Sequence, residues 1–179
     1  VGKTSLLRII CGLSPADACE VLWNGTTLNR QHPEVVEAFR TTLCYMGHNL
    51  SLKDELTPIE NLLFDAQVAG RSLPHEKGMD ALRKMGLNNR AYLPLRVLSQ
   101  GQKRRTALAR LSVTEAKLWV LDEPFVALDA QSLDNLRALL ANHVQQGGML
   151  LFTSHQAVEL SQPNGQHVLD VQPIRLVAA

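Results

Sequence analysis

The sequence predicts an α/β fold: a mostly parallel sheet core with a helical subdomain inserted into it. Three observations predict it. "KLWVLDEP" and "MLLFTSH" are continuous apolar runs ending in polar residues, the pattern of strands buried on both faces. Helical segments lie between such runs, as a parallel sheet requires. The stretch from Leu56 to Val113 reads as helical and interrupts that alternation. The 179 residues are expected to form one domain, with 1–50 and 114–179 as the core and 51–113 as the helical subdomain.

Each element has a local reason. Ser5 to Gly12 reads as a helix, with Leu6, Leu7, Ile9 and Ile10 as its apolar face and Gly12 as its stop. "EVLWNGTTL" reads as a hairpin turning at Asn24-Gly25. Its Trp23, like Trp119 further on, is expected to pack in the core. "TTLCYMG" reads as a short apolar strand. In "LTPIENLLFDAQVAG", Thr57 is an N-cap, Pro58 the first helical residue, and Glu60 falls three residues after the cap. Gly70, Gly86 and Pro94 break the helical stretch that follows. Leu118–Leu121 reads as a buried strand. "SLDNLRALLANHVQQGG" is amphipathic through Leu133, Leu136, Leu139, Leu140 and Val144, and Gly147-Gly148 close it. "HVLDV" and "IRLVA" read as short strands forming a hairpin.

Composition sets bounds. Hydrophobic residues make up 45% and charged residues 20%, ordinary for a folded domain. The net charge of +1 gives nucleic-acid binding no compositional support. Cys11, Cys19 and Cys44 lack C-x-x-C spacing and read as reduced core thiols. No apolar run reaches the roughly 18 to 20 residues that span a bilayer, so any service to a membrane is expected to run through a partner.

In open α/β sheets, ligands bind outside the carboxyl ends of the strands. Three polar clusters belong there. Gly2-Lys3-Thr4-Ser5 matches the end of a phosphate loop, G-x-x-x-x-G-K-[S/T]. Asp122-Glu123 follow "LWVL", and Thr153-Ser154-His155 follow "MLLF". Adjacent strands would bring the three into one crevice suited to a nucleoside triphosphate with Mg²⁺. Backbone N–H groups from Gly2 onward would hold phosphate oxygens. Lys3 offers a positive charge to the β and γ phosphates, Thr4 a hydroxyl to Mg²⁺, and Ser5 a donor to phosphate. Asp122 would hold Mg²⁺ through water. Glu123 would act as general base towards the attacking water, and His155 would contact the γ-phosphate. The chain opens in the middle of the loop motif. It is expected to be N-terminally truncated, to follow a glycine four residues before Val1, and by itself to hydrolyse ATP poorly.

Taken singly, these clusters have plainer readings. Asp-Glu after a strand is often a helix N-cap, and Ser-His at a strand end is often surface polarity. "VLSQGQKRRTALARL" weighs against them. Ser99 is an N-cap with Gln102 three residues later, a capping box, and Gly101 keeps the helix entrance bare. Such an entrance is an anion site. The plainer reading makes it only a helix start, with Lys103-Arg104-Arg105 as a solvated face.

Leu98, Ser99, Gly101, Gln102 and Arg105 resemble the signature motif of ABC transporter ATPases, a P-loop NTPase (RecA-like) family. Gln100 departs, standing where glycine is common. "LWVLDEPFVALD" resembles that family's Walker B, catalytic glutamate and D-loop, with Asp129 as the D-loop aspartate. "TSH" resembles its switch histidine, and the likeness runs in order along nearly the whole chain. The resemblance implies a head-to-tail homodimer of ATPase domains. Ser99, Gly101 and Gln102 would then touch the partner's nucleotide, and hydrolysis would move integral membrane permease subunits. His48 stands where the family usually places a glutamine that senses Mg²⁺ and meets the permease. With "YMGHNLSLKDELTPIENLLFDAQVAG", it resembles the haem-exporter ATP-binding subunits of bacterial cytochrome c maturation. That subgroup implies powering of haem export or of haem–chaperone release, from the cytoplasmic face of the inner membrane. The alternatives are the ATPase of another ABC transporter and a non-catalytic fragment. A DNA-repair ABC ATPase would need a coiled-coil insertion and a translation type a second ATPase domain, and the sequence carries neither.

Overall fold

The computed structural model describes residues 2–15, 19–155, 158, 160–161, 168–169 and 172. Helix α1 (Lys3–Ile10) starts directly after Gly2, which caps it with φ at 90°. Its end is a Schellman closure. Gly12 sits at φ 67°, its N–H donates to Ile9 O at 2.9 Å, and Leu13 N–H donates to Arg8 O at 2.8 Å. Strands β1 (Leu22–Trp23) and β2 (Thr26–Thr27) form the expected antiparallel hairpin, with Asn24 and Gly25 both at positive φ.

Helix α2 (Pro33–Thr42) is an element the sequence pattern did not announce. Pro33 opens it, and Phe39 is its buried residue, 5.1 Å from the Trp23 ring centre. Thr41 and Thr42 belong to this helix rather than to the strand expected at "TTLCYMG". Their hydroxyls donate back to Ala38 O and Phe39 O, a bond that lets β-branched threonine sit in a helix. Strand β3 is therefore only Leu43–Met46.

An all-helical segment follows. Helix α3 (Pro58–Val68) carries the expected capping box, with Thr57 N–H donating to Glu60 Oε2 at 2.8 Å. Helix α4 (His75–Lys84), 3₁₀ turns at Asn88–Arg90 and Leu95–Val97, helix α5 (Gln100–Ala109) and a 3₁₀ turn at Arg110–Ser112 complete it. Strand β4 (Leu118–Leu121) runs as read. Helix α6 (Ala130–Gln145) begins before the expected serine because Asp129 caps it, accepting from Ser132 N–H at 2.8 Å. Strand β5 (Met149–Phe152) follows. Strands β6 (Leu160–Ser161) and β7 (Val168–Leu169) pair antiparallel. The "HVLDV" strand thus meets β6, and the expected hairpin partner "IRLVA" lies outside the described residues.

Strands β3, β4 and β5 form a parallel sheet in that order, with Met46, Leu121 and Phe152 level at their carboxyl ends. Two bonds continue the ladder past the strands. Asp122 N–H donates to Met46 O at 2.8 Å, and Thr153 N–H donates to Leu121 O at 3.0 Å. Asp122 and Thr153 are thereby held side by side. Leu62, Leu82 and Leu108 of the helical segment share one buried cluster with Leu121, Leu136 and Leu140. Burying each such leucine is worth roughly 1.5–3 kcal/mol, so the helices are fastened to the sheet by the common core. Burial pushes the Cys11 thiol up to about 12 and raises Cys44 as well, whereas Cys19 is exposed, against the expectation of a core thiol.

At the opposite end of the sheet, the His143 ring stacks on Trp119 with centroids 3.7 Å apart. Its Nε2 lies 3.1 Å from Lys117 O and 3.3 Å from Met149 O, joining the entries of β4 and β5. Burial lowers the ring's pKa, against a smaller opposing pull from those carbonyls. The unfolded chain therefore takes up the proton first, near pH about 6.5. Stability from the neutral ring is present above that pH and is lost as pH falls towards the folded value. Thermal unfolding at pH 7 and pH 5 should show a larger drop in Tm for the native protein than for His143→Phe; equal drops would show that the ring does not titrate differently on folding.

Candidate functional site

The sheet's carboxyl edge brings the phosphate-loop residues and both strand-end clusters together. Asp122 is 3% exposed and carries two short hydrogen bonds. Thr4 Oγ1 donates to its Oδ2 at 2.6 Å, and Thr153 Oγ1 donates to its Oδ1 at 2.6 Å. One buried carboxylate thus ties the start of α1 to the ends of β4 and β5. A buried carboxylate needs such partners, because an unpaired one costs several kcal/mol.

Glu123 follows with a left-handed backbone, φ 52°. Its N–H donates to Thr153 Oγ1 at 2.9 Å, and its C=O accepts from the Arg104 guanidinium. The carboxylate turns outward: Oε1 is 2.6 Å from His155 Nε2 and 3.7 Å from Lys3 Nζ. Lys3 Nζ also lies 3.4 Å from both Ser154 O and His155 Nδ1. Lys3, Thr4, Asp122, Glu123 and His155, far apart in sequence, therefore form one connected group. Neither Asp122 nor Glu123 caps a helix; Asp129 does, and hydrogen bonds from Ser132 hold its carboxyl below the usual range.

Around this group lie the remaining candidates. Gly2 and Ser5 are exposed at the start of α1. His48 is exposed in the loop after β3, where Asn49 Oδ1 accepts from Ser51 N–H at 3.0 Å. That loop is clamped by buried Asn61, which bonds both Lys53 N–H and Lys53 O. Ser99 and Gln102 form the capping box of α5, with Ser99 N–H donating to Gln102 Oε1 at 2.9 Å. Gly101 faces the turn after Glu123, where an added Cβ would meet Ala127 O at an ordinary contact distance of 3.4 Å. Among the described residues, no hydrogen bond or ion pair joins His48, Ser99, Gln102 or Asp129 to the Lys3–His155 group.

Two residues of this site escaped the sequence reading. Thr153 is placed by the sequence in the strand-end cluster but with no role of its own, and its pairing partners are about thirty residues away. Arg104 lies in a charge run whose plainer reading is a solvated face, yet it is 7% exposed. Thr4 and Asp122 together offer hard oxygen donors within one contact, the donor chemistry that suits Mg²⁺.

The family model for ABC transporters matches residues 1–126. The chain belongs to the ABC transporter family and is an ABC-type ATPase. Within that family it is similar to the cytochrome c biogenesis ATP-binding export protein CcmA of Dechloromonas aromatica. The two are 48% identical over 159 residues, covering 89% of this chain and 76% of the relative. CcmA of Nitrosomonas europaea is 44% identical over 168 residues, covering 94% of this chain and 77% of that protein. In fold it is similar to an ATP-binding protein of a putative ABC transporter from Pyrococcus furiosus. That pair has a TM-score of 0.74 at 23% identity, over 88% of this chain and 74% of the other.

Thr153→Val keeps the shape of the side chain and removes the hydroxyl shared by Asp122 and Glu123. It should cost about 1–3 kcal/mol of unfolding free energy, read by denaturant titration. An unchanged midpoint would mean that Asp122 does not depend on this donor.

Proposed function

We propose that the domain binds ATP with Mg²⁺ and hydrolyses it to power a transporter of cytochrome c biogenesis, in haem export or haem–chaperone release. One observation carries the ATPase chemistry: Lys3, Thr4, Asp122, Glu123 and His155 meet at the carboxyl edge of one parallel sheet. The likeness to CcmA proteins supports the cytochrome c assignment.

The residues divide the work. N–H groups at the start of α1, from Gly2 through Ser5, and the Lys3 ammonium hold the phosphates. Thr4 and Asp122 would hold Mg²⁺, Asp122 through water, and the charge it supplies when bound would offset that of the phosphates. Lys3 rests 3.7 Å from Glu123, and a phosphate arriving at α1 offers it a stronger partner, which frees the carboxylate. Glu123 then takes a proton from the water that attacks the γ-phosphorus, while the bond from that phosphorus to the ADP oxygen breaks. His155, 2.6 Å from Glu123, orients it and contacts the γ-phosphate.

Ser99, Gly101 and Gln102 present the capped start of α5 to the nucleotide of a second copy arranged head to tail, and Asp129 lies beside that contact. His48, in its exposed loop, would serve as the residue that senses Mg²⁺ and meets the permease. Residues 51–113 act as the helical subdomain of a single domain. The protein works at the cytoplasmic face of the inner membrane, held there by permease subunits. No helix among the described residues is long and apolar enough to cross a membrane.

Glu123→Gln should lower ATP turnover by roughly 10²–10⁴-fold while leaving ATP binding intact. A strain carrying only this variant should lose covalently haem-bearing c-type cytochromes. Unchanged turnover sinks the general-base role, and normal cytochromes in a turnover-dead strain sink the pathway assignment.

A further inference from the structure

The Glu123 peptide is slung between two parts of the molecule. Its N–H is held by Thr153, on the continuation of β5. Its C=O is held by Arg104, on α5, one turn beyond the Ser99–Gln102 cap. The residue between these holds is left-handed, at φ 52°, and four residues on Ala127 is left-handed as well, at φ 59°. Each such conformation costs a side-chain-bearing residue roughly 1–2 kcal/mol and persists only where its surroundings impose it. The segment 123–129 also meets α5 twice more. Gly101 brings the helix against Ala127 O, and Arg105 Nη1 lies 4.0 Å from Asp129 Oδ2.

Arg104 is an expensive way to make such a contact. It is 7% exposed, and its Nε has no hydrogen-bond partner among the described residues. Burial lowers its pKa, while the charges of Glu123 and Asp122 pull it back up. A packing role needs no charge here, since an apolar residue of similar length would fill the space without desolvating a guanidinium. What the guanidinium adds is a donor aimed at one carbonyl and a positive charge beside the two site carboxylates.

We propose that Arg104 is a positioning residue: it aims the Glu123 carboxylate through the Glu123 carbonyl, and so makes that aim depend on where α5 sits. The sheet fixes the Glu123 N–H on one side of its Cα, and α5 controls the Glu123 C=O on the other. An anion docking at the capped start of α5 would shift the helix and turn the Glu123 peptide with it. This rests on the reading that Glu123 is the general base and that the start of α5 faces the nucleotide of a second copy. The signature helix of one copy would then adjust that copy's own hydrolysis to its neighbour's occupancy.

The test compares Arg104→Met, which removes the donors, with Arg104→Gln, whose amide can still donate to a carbonyl. Two quantities are read: steady-state hydrolysis of MgATP, and hydrogen exchange of the amides in 123–129 without nucleotide. Arg104→Met should lower kcat at least tenfold with KM changed less than threefold, and should speed exchange in that segment. Arg104→Gln should restore most of both. Exchange in Arg104→Met at the native rate, or a kcat loss that Arg104→Gln leaves unrepaired, overturns the proposal. If Arg104→Met does not fold, Arg104→Leu, which also removes the donors, takes its place under the same criteria. A native protein without turnover would count against the ATPase reading, and the exchange comparison would then decide the role of Arg104 alone.

Discussion

The site depends on one buried carboxylate. Asp122 sits where β4 leaves the sheet, almost wholly out of water. A charge there must find donors within the protein, and it finds two hydroxyls: Thr4 at the start of α1 and Thr153 at the end of β5. Satisfying Asp122 therefore forces three chain segments, distant in sequence, to one point. The parallel register does the rest of the alignment, because Met46, Leu121 and Phe152 end level and their successors emerge together.

From that point the chemistry spreads outward in order of exposure. Asp122 is sealed, Glu123 is partly open, and His155 stands mostly in solvent. Glu123 reaches the opening because its backbone is turned left-handed. Thr153, Arg104 and the local turn hold that strained residue in place, and its carboxylate pairs with His155 and Lys3. Under the proposed function, such pairing would let Lys3 exchange a protein carboxylate for a phosphate. The helical segment shares its core with the sheet, and its helix α5 holds the Glu123 carbonyl through Arg104.

Much of this was legible in the residues, for reasons that differ by element. Asn24-Gly25, the Thr57 and Ser99 caps and the glycines after α1, α3, α4 and α6 act locally, so a few adjacent letters carry the whole signal. The runs ending at Asp122 and Thr153 were legible as strands because parallel strands buried on both faces are continuously apolar. Helix α2 was not legible. It is short, its only buried residue is Phe39, and its two terminal threonines favour a strand in isolation. Arg104 and Thr153 were obscured for another reason. Their roles lie in hydrogen bonds to Glu123 and Asp122, which are 19 and 31 residues away. A charge run and a strand-end hydroxyl look the same on paper whether they face water or a carbonyl.

Under the proposed function, Thr4 and Asp122 make nucleotide binding depend on a divalent cation. The direct measurement is calorimetric titration of ATP into the native protein and into Asp122→Asn, each with Mg²⁺ and with a chelator. The native protein should bind ATP at least tenfold more tightly with Mg²⁺, and Asp122→Asn should lose that gain while keeping its Mg²⁺-free affinity. An equal Mg²⁺ gain in both proteins would contradict the account.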